Sequence, residues 1–118
     1  MKGFTVTFTT FHDDYKSRGQ PPSSMIGPLG FKTKDEAEQC LCEHLAEAID
    51  DNVGHVDESE IKKFHHEEFF ELYDGGEQWH VKDEFRTNLE VLKKLEKHWN
   101  VGEFIARSWS WTLTKFDL

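Results

Sequence analysis

His65 and Glu68 stand three residues apart, on the side of a helical pattern that also carries Ile61, Phe64, Phe69 and Leu72. A histidine and a carboxylate held against an apolar face shift each other's titration, which is the pairing a small acid–base site would use. No nucleophile or second carboxylate stands at a matching spacing, so catalysis by these two as a small hydrolase or metal enzyme is the least supported of three functions the sequence suggests. At the margin of an apolar stripe the same pair would simply reach solvent.

The metal motifs fail at residues the chemistry needs. His66-Glu67-Glu68-Phe69-Phe70 opens like the zinc motif H-E-x-x-H, but Phe70 occupies the place of the second ligand. A calcium loop counted from Asp50 would need glycine at His55 and a bidentate Glu at Ile61. Cys40 and His44 would share one side of a helix from which Cys42 points away, so Cys40-Leu41-Cys42-Glu43-His44 offers a metal at most two ligands. Cys40 then serves as a small hydrophobe at the core margin. The sequence contains no phosphate loop, no dinucleotide fingerprint and no nucleophile elbow, and neither a metal nor a cofactor is expected.

Two features suit recognition better. Trp109 and Trp111 alternate with Arg107 on one strand face. The pattern puts Trp111 in the core and leaves Trp109 with Arg107 as a rim patch, where an indole and a guanidinium could stack on a partner. The stronger feature is charge. From Asp35 to Glu60 there are ten acids and no Lys or Arg. Glu36, Glu43, Glu47 and Asp50 recur at helical spacing, and Glu36 to Asp50 covers about 21 Å of helix. Like charges one turn apart cost roughly 0.2–0.5 kcal/mol per pair, so this ridge does not help the helix form. It suits docking to a basic partner, with electrostatic steering of the encounter.

The elements that position these groups follow from periodicity. Phe4, Val6 and Phe8 alternate with Thr5, Thr7 and Thr9, which predicts a strand with one buried face. Residues 12–32 are punctuated by Gly19, Pro21, Pro22, Gly27, Pro28 and Gly30, so a long irregular loop is expected, anchored by Met25, Ile26, Leu29 and Phe31 and available to a partner. Thr33-Lys34-Asp35-Glu36 matches the capping box, and Ala37, Leu41, His44, Leu45 and Ala48 then recur at helical spacing to about Asp51. Asp57 caps a second helix expected to reach Tyr73, with a short strand over Gln78–Val81; the rival is a hairpin of Phe69–Tyr73 with Gln78–Val81 around Asp74-Gly75-Gly76. A third helix is expected over Asp83–Trp99, with Phe85, Leu89, Leu92, Leu95 and Trp99 on one face, followed by a strand from Phe104 to Phe116.

Strands at the two ends and helices between them predict an α+β fold in a single domain of 118 residues, with a small antiparallel sheet packed against three helices. Pairing of the first and last strands is the natural arrangement. So narrow a sheet leaves unpaired edges, which a second copy could cover as a homodimer.

The composition is consistent with this. Only 36% of residues are hydrophobic, but 14% are aromatic, enough large side chains for a modest core. A net charge of −9 disfavours direct binding to nucleic acid or to an anionic membrane, both of which require basic surface. No run approaches the roughly 18 apolar residues of a membrane span, and the N-terminus lacks the pattern of a signal peptide. The only cysteines are Cys40 and Cys42, whose side chains diverge on a helix, so a reducing, cytoplasmic setting is expected. Three functions are therefore expected in descending order. The first is a non-enzymatic protein–protein interaction module that binds a basic protein through the acidic first helix and the 12–32 loop. A nucleic-acid mimic that inhibits a basic DNA- or RNA-binding protein comes next, and then the His65/Glu68 enzyme.

Overall fold

The computed structural model describes residues 2–12, 24–54, 56–73, 76–100 and 107–117. Its elements are β1 (Lys2–His12), β2 (Ser24–Phe31), α1 (Lys34–Val53), α2 (Glu58–Lys63), β3 (Phe70–Leu72), β4 (Trp79–Val81), α3 (Leu89–Trp99) and β5 (Arg107–Asp117), with a 3₁₀ turn at Asp83–Phe85 before α3. The fold is α+β: an antiparallel sheet in the order β2-β1-β5, a two-stranded β3-β4 ribbon, and three helices.

β1 is central because its alternation gives it one apolar face and leaves both edges free to pair. Against β5 the register is unbroken, from Lys2 opposite Asp117 to His12 opposite Arg107. The expected pairing of the two end strands is therefore present along the whole of β1. Val6 and Phe8 are buried beneath α1, and the register places Leu113 and Trp111 beside them on the same face. The opposite face alternates hydroxyls, with Thr5 opposite Thr114, Thr7 opposite Thr112 and Thr9 opposite Ser110.

β2 corrects the expectation of an irregular 12–32 loop. Residues 24–31 form an edge strand in spite of Gly27, Pro28 and Gly30, because the register shifts between Val6 and Phe8 and Gly27-Pro28 fall in that bulge. Proline is tolerated there since the bulge asks no ladder hydrogen bond of it. Gly27 has φ +95°, and a Cβ on it would collide with the Val6 carbonyl oxygen, so glycine is required at this position. The rest of that segment, 13–23, lies outside the described residues.

α1 begins where the capping box predicts. Thr33 Oγ1 accepts from the Glu36 amide at 3.2 Å, and its hydroxyl donates to Glu36 Oε1 at 2.9 Å, so the Glu36 carboxylate holds the cap side chain instead of the cap amide. The buried stripe is Ala37, Leu41, Cys42, Leu45, Ala46, Ile49 and Val53. It is rotated from the expected one: Cys42, placed away from the core by the sequence pattern, is buried, while His44 and Ala48 sit at its edge.

The second helix is much shorter than expected, and the rival hairpin is what forms. α2 stops at Lys63 because His65 adopts a left-handed φ of 57°. The His66 amide then donates to the Ile61 carbonyl at 3.1 Å and the His65 amide to the Lys62 carbonyl at 3.0 Å, the paired bonds of a Schellman ending with histidine in the usual place of glycine. The chain turns into β3, which pairs Phe70 with Val81 and Leu72 with Trp79.

The third helix also starts later. Asn88 caps α3, with its Oδ1 accepting from the Val91 amide at 3.2 Å, and Asp83–Phe85 forms only a 3₁₀ turn. Asparagine serves better as a cap than inside a helix, and that breaks the continuous helix which apolar spacing predicts. Leu92, Leu95 and Trp99 enter the core.

The outer edge of β5 carries a guard. Asn100, just after α3, donates from Nδ2 to the Trp109 carbonyl at 2.8 Å and accepts from the Trp109 amide at Oδ1 at 2.9 Å. Its side-chain amide thus occupies the two backbone groups that a neighbouring strand would use at that point. A second copy could add along the whole of β5 only by displacing it.

Candidate functional site: the acidic helix face and the clefts beside it

Glu36, Glu43 and Glu47 lie exposed on one face of α1 and span about 16 Å of helix. Asp51 is exposed in line with them. Among the described residues neither Glu43 nor Glu47 enters an ion pair. The nearest basic residue along the chain, Lys34, sits 3.6 Å from Glu38.

Asp50 does not belong to this ridge. Its Oδ1 accepts from the Val81 amide at 2.8 Å and its Oδ2 from Arg86 Nη1 at 2.8 Å, and its side chain is only 13% exposed. Arg86 Nη1 also donates to the Val81 carbonyl at 3.2 Å. Burial raises the Asp50 pKa, and the Val81 amide and Arg86 only partly offset it. Asp50 therefore ties α1 to β4. The basic partner that makes this possible lies 36 residues away, where helical spacing alone could not reveal it.

The two tryptophans exchange their expected roles. Trp109 is 4% exposed and belongs to the core, whereas Trp111 is half-buried. Both indole N–H groups donate to one carboxylate: Trp109 Nε1 lies 2.8 Å from Glu96 Oε2, and Trp111 Nε1 lies 3.1 Å from Glu96 Oε1. Trp109 is the deeper because the end of α3 and Asn100 close over it. The burial of Trp109 removes it from the exposed rim expected of it; Arg107 begins β5, opposite His12. In β2, Met25 is 63% exposed while Ile26 packs against the core.

His65 and Glu68 are both exposed, and neither lines the clefts described below. The fully buried histidine is the next one. His66 is fully buried among Phe64, Phe69, Phe70 and Trp99. Its Nδ1 accepts from Trp99 Nε1 at 2.9 Å, and its Nε2 has no partner among the described residues. Burial, with lesser contributions from His98 and Lys94, pushes its pKa down to about 4, so the ring is neutral near pH 7. Helical spacing marks His65; the tight turn hands the buried position to His66 instead.

Two adjoining clefts flank α1. The larger, about 630 Å³, lies between the start of α1, residues 84–90, Lys93 and the half-buried faces of Trp111 and Leu113. The smaller, about 300 Å³, shares Glu38, Thr87 and Leu89 with it and reaches Asp35, Gln39 and Cys42. Cys42 and Cys40 are free thiols, and burial together with nearby glutamates raises both pKa values, the reverse of what a nucleophilic cysteine requires. Among the described residues no group of three or more His, Cys, Asp or Glu is placed to hold a metal, and no helix is long and apolar enough to cross a membrane.

No family model matches the chain, and neither a curated protein nor a solved structure matches it. The chemistry must be read from the geometry. The described surface offers exposed carboxylates and a mixed-charge cleft with an aromatic floor; His66 lies buried beneath that surface, and His80 Nε2 lies 3.5 Å from the Glu71 carboxylate.

Proposed function

We propose that the chain is a non-enzymatic protein–protein interaction module that binds a partner with a basic surface through the outer face of α1. The observation that carries this is the line of Glu36, Glu43 and Glu47, exposed together on α1, which has no Lys or Arg after its first residue, Lys34. Such a line raises the encounter rate with a basic surface and sets its orientation, and salt weakens both effects. The β2 edge, with Met25 exposed at 63%, supplies an apolar contact for the same partner. Mimicry of nucleic acid is a special case of this binding, in which the carboxylates stand where phosphates would.

The test uses the immobilised protein beside its Glu43→Lys/Glu47→Lys variant. Proteins retained by the first and not the second are purified and titrated against both across a range of salt. Affinity that falls steeply with salt and drops at least about tenfold in the variant supports docking through α1. Equal affinity for both forms, or no retained basic protein, refutes it. Competition by nucleic acid for the same protein would assign the mimic.

A further inference from the structure

The larger cleft has a floor that its surroundings do not fill. Trp111 is half-buried, and its indole N–H is fixed by the Glu96 carboxylate, which sets the plane of the ring. Leu113 continues the apolar floor. Over the indole lies the chain's own Lys93 ammonium, 5.8 Å from the ring centroid and 4.0 Å from Glu90 Oε1. A cation above an indole face beside a carboxylate is a stable arrangement in partly desolvated sites. Here the cation is supplied by a flexible side chain that remains 42% exposed.

The charges around the floor indicate what else would fit. The two joined clefts carry Asp35, Glu38, Glu84 and Glu90 against Lys34 and Lys93. Glu38 is paired with Lys34 and Glu90 with Lys93, which leaves Asp35 and Glu84 in excess. An anionic ligand would meet this excess unfavourably, and a neutral apolar one would leave the rim charges desolvated without partners. A cation on an aliphatic stem satisfies both parts, with its stem along Leu113 and Leu89 and its charge between the indole and the carboxylates.

We infer that the cleft between α1 and α3 is a receptor for the side chain of a lysine or arginine from the partner protein, with Trp111 as the cation–π platform and Lys93 as an internal occupant that the incoming cation displaces. This inference rests on the partner being basic, as proposed above, and adds a specific anchor to the diffuse attraction of α1. Lys93 acts as a competitor, so removing it strengthens binding, whereas a merely structural Lys93 would give no such gain.

The experiment follows the indole Nε1–H resonance of Trp111 in a ¹⁵N–¹H spectrum during titration with acetyl-Gly-Lys-Gly-amide and acetyl-Gly-Arg-Gly-amide at millimolar concentration. Acetyl-Gly-Gln-Gly-amide is the neutral control. The expected result is a saturable shift with the Lys and Arg peptides and none with the Gln peptide. Lys93→Met should tighten binding about two- to fivefold beyond Lys97→Met, which removes the same charge from an exposed position of α3 outside the clefts. Trp111→Leu should abolish binding, read on the remaining cleft resonances. An equal response to the Gln peptide, no shift of Trp111, or no difference between Lys93→Met and Lys97→Met overturns the inference. The peptides isolate the cleft from the α1 ridge. Peptide binding that survives Glu43→Lys/Glu47→Lys while the protein partner ignores that change would sink the α1 reading alone. A partner that needs the ridge but ignores Lys93 and Trp111 would sink this one alone.

Discussion

Between pH 7 and pH 4 the protein must either charge His66 or hold it neutral, and the structure sets what that costs. The ring is fully buried, and its Nδ1 can accept the Trp99 N–H at 2.9 Å only while unprotonated. Protonation would turn both ring nitrogens into donors, remove the Trp99 bond and place a charge near His98, whose ring lies 5.0 Å away, and near Lys94. Glu67 opposes this shift, and His65 adds to it slightly. The folded pKa of about 4 lies below the 6.5 of a free histidine. The unfolded chain therefore binds more protons in that interval, and stability is fully present above pH 6.5 and lost as pH falls towards 4. At roughly 1.36 kcal/mol per pKa unit the gap corresponds to about 3 kcal/mol, most of it gone by pH 4.5. That is a large share of the 5–15 kcal/mol that typically holds a small domain folded. Urea unfolding followed by circular dichroism at several pH values between 7.5 and 4.5 would measure it, beside a His66→Gln variant that keeps an acceptor for Trp99 and cannot be protonated. The expected outcome is that the native chain loses about 2–3 kcal/mol more than the variant over this range, whatever their difference at pH 7.5. Parallel losses in the two proteins, or an NMR titration of His66 near 6.5, would refute the reasoning.

Two further outcomes follow from the same geometry. Arg86→Met should cost about 1–3 kcal/mol at pH 7, since it leaves the largely buried Asp50 carboxylate with only the Val81 amide as a hydrogen-bond donor. Asp50 then titrates higher still, and because a raised carboxylate pKa favours the folded state below it, the deficit should shrink as pH falls through the folded value; chemical denaturation at pH 7 and pH 4.5 checks both signs. His65→Gly should stabilise the fold by about 0.5–1 kcal/mol by relieving a left-handed histidine, whereas His65→Val should destabilise it by at least about 1 kcal/mol, as thermal unfolding would show.

Local chemistry made part of this molecule legible in the residues. Thr33 and Glu36 mark the start of α1 because a cap is made by neighbours in the chain. The alternation of Phe4, Val6 and Phe8 identifies β1 because a strand sorts its side chains by parity. The other elements depended on choices that local patterns leave open. Phe64, Phe69 and Leu72 fit a helical stripe about as well as a turn and a strand. The turn prevails because His66 gains a buried place against Trp99, and Phe70 pairs with Val81. Asn88 fits a helix interior in spacing but not in chemistry, and its side chain is worth more as a cap. Gly27 and Pro28 mark a loop in composition and a bulge in the fold, since only β1 alongside them makes an edge strand of 24–31.

The candidate sites divide in the same way. Sequence alone determined the α+β architecture, the pairing of the end strands, the acidity of α1 and the exposure of Glu36, Glu43 and Glu47, because these follow from composition and from one element's own periodicity. Tertiary structure alone decided that Asp50 leaves the ridge for Arg86, that Trp109 is buried while Trp111 floors a cleft, and that His66 is the enclosed imidazole while His65 is exposed. Each of these depends on a partner 13 to 36 residues away in the chain. Helical or strand periodicity assigns a residue to a face, but only the packing of another element against that face settles whether its polar atoms meet water or a partner.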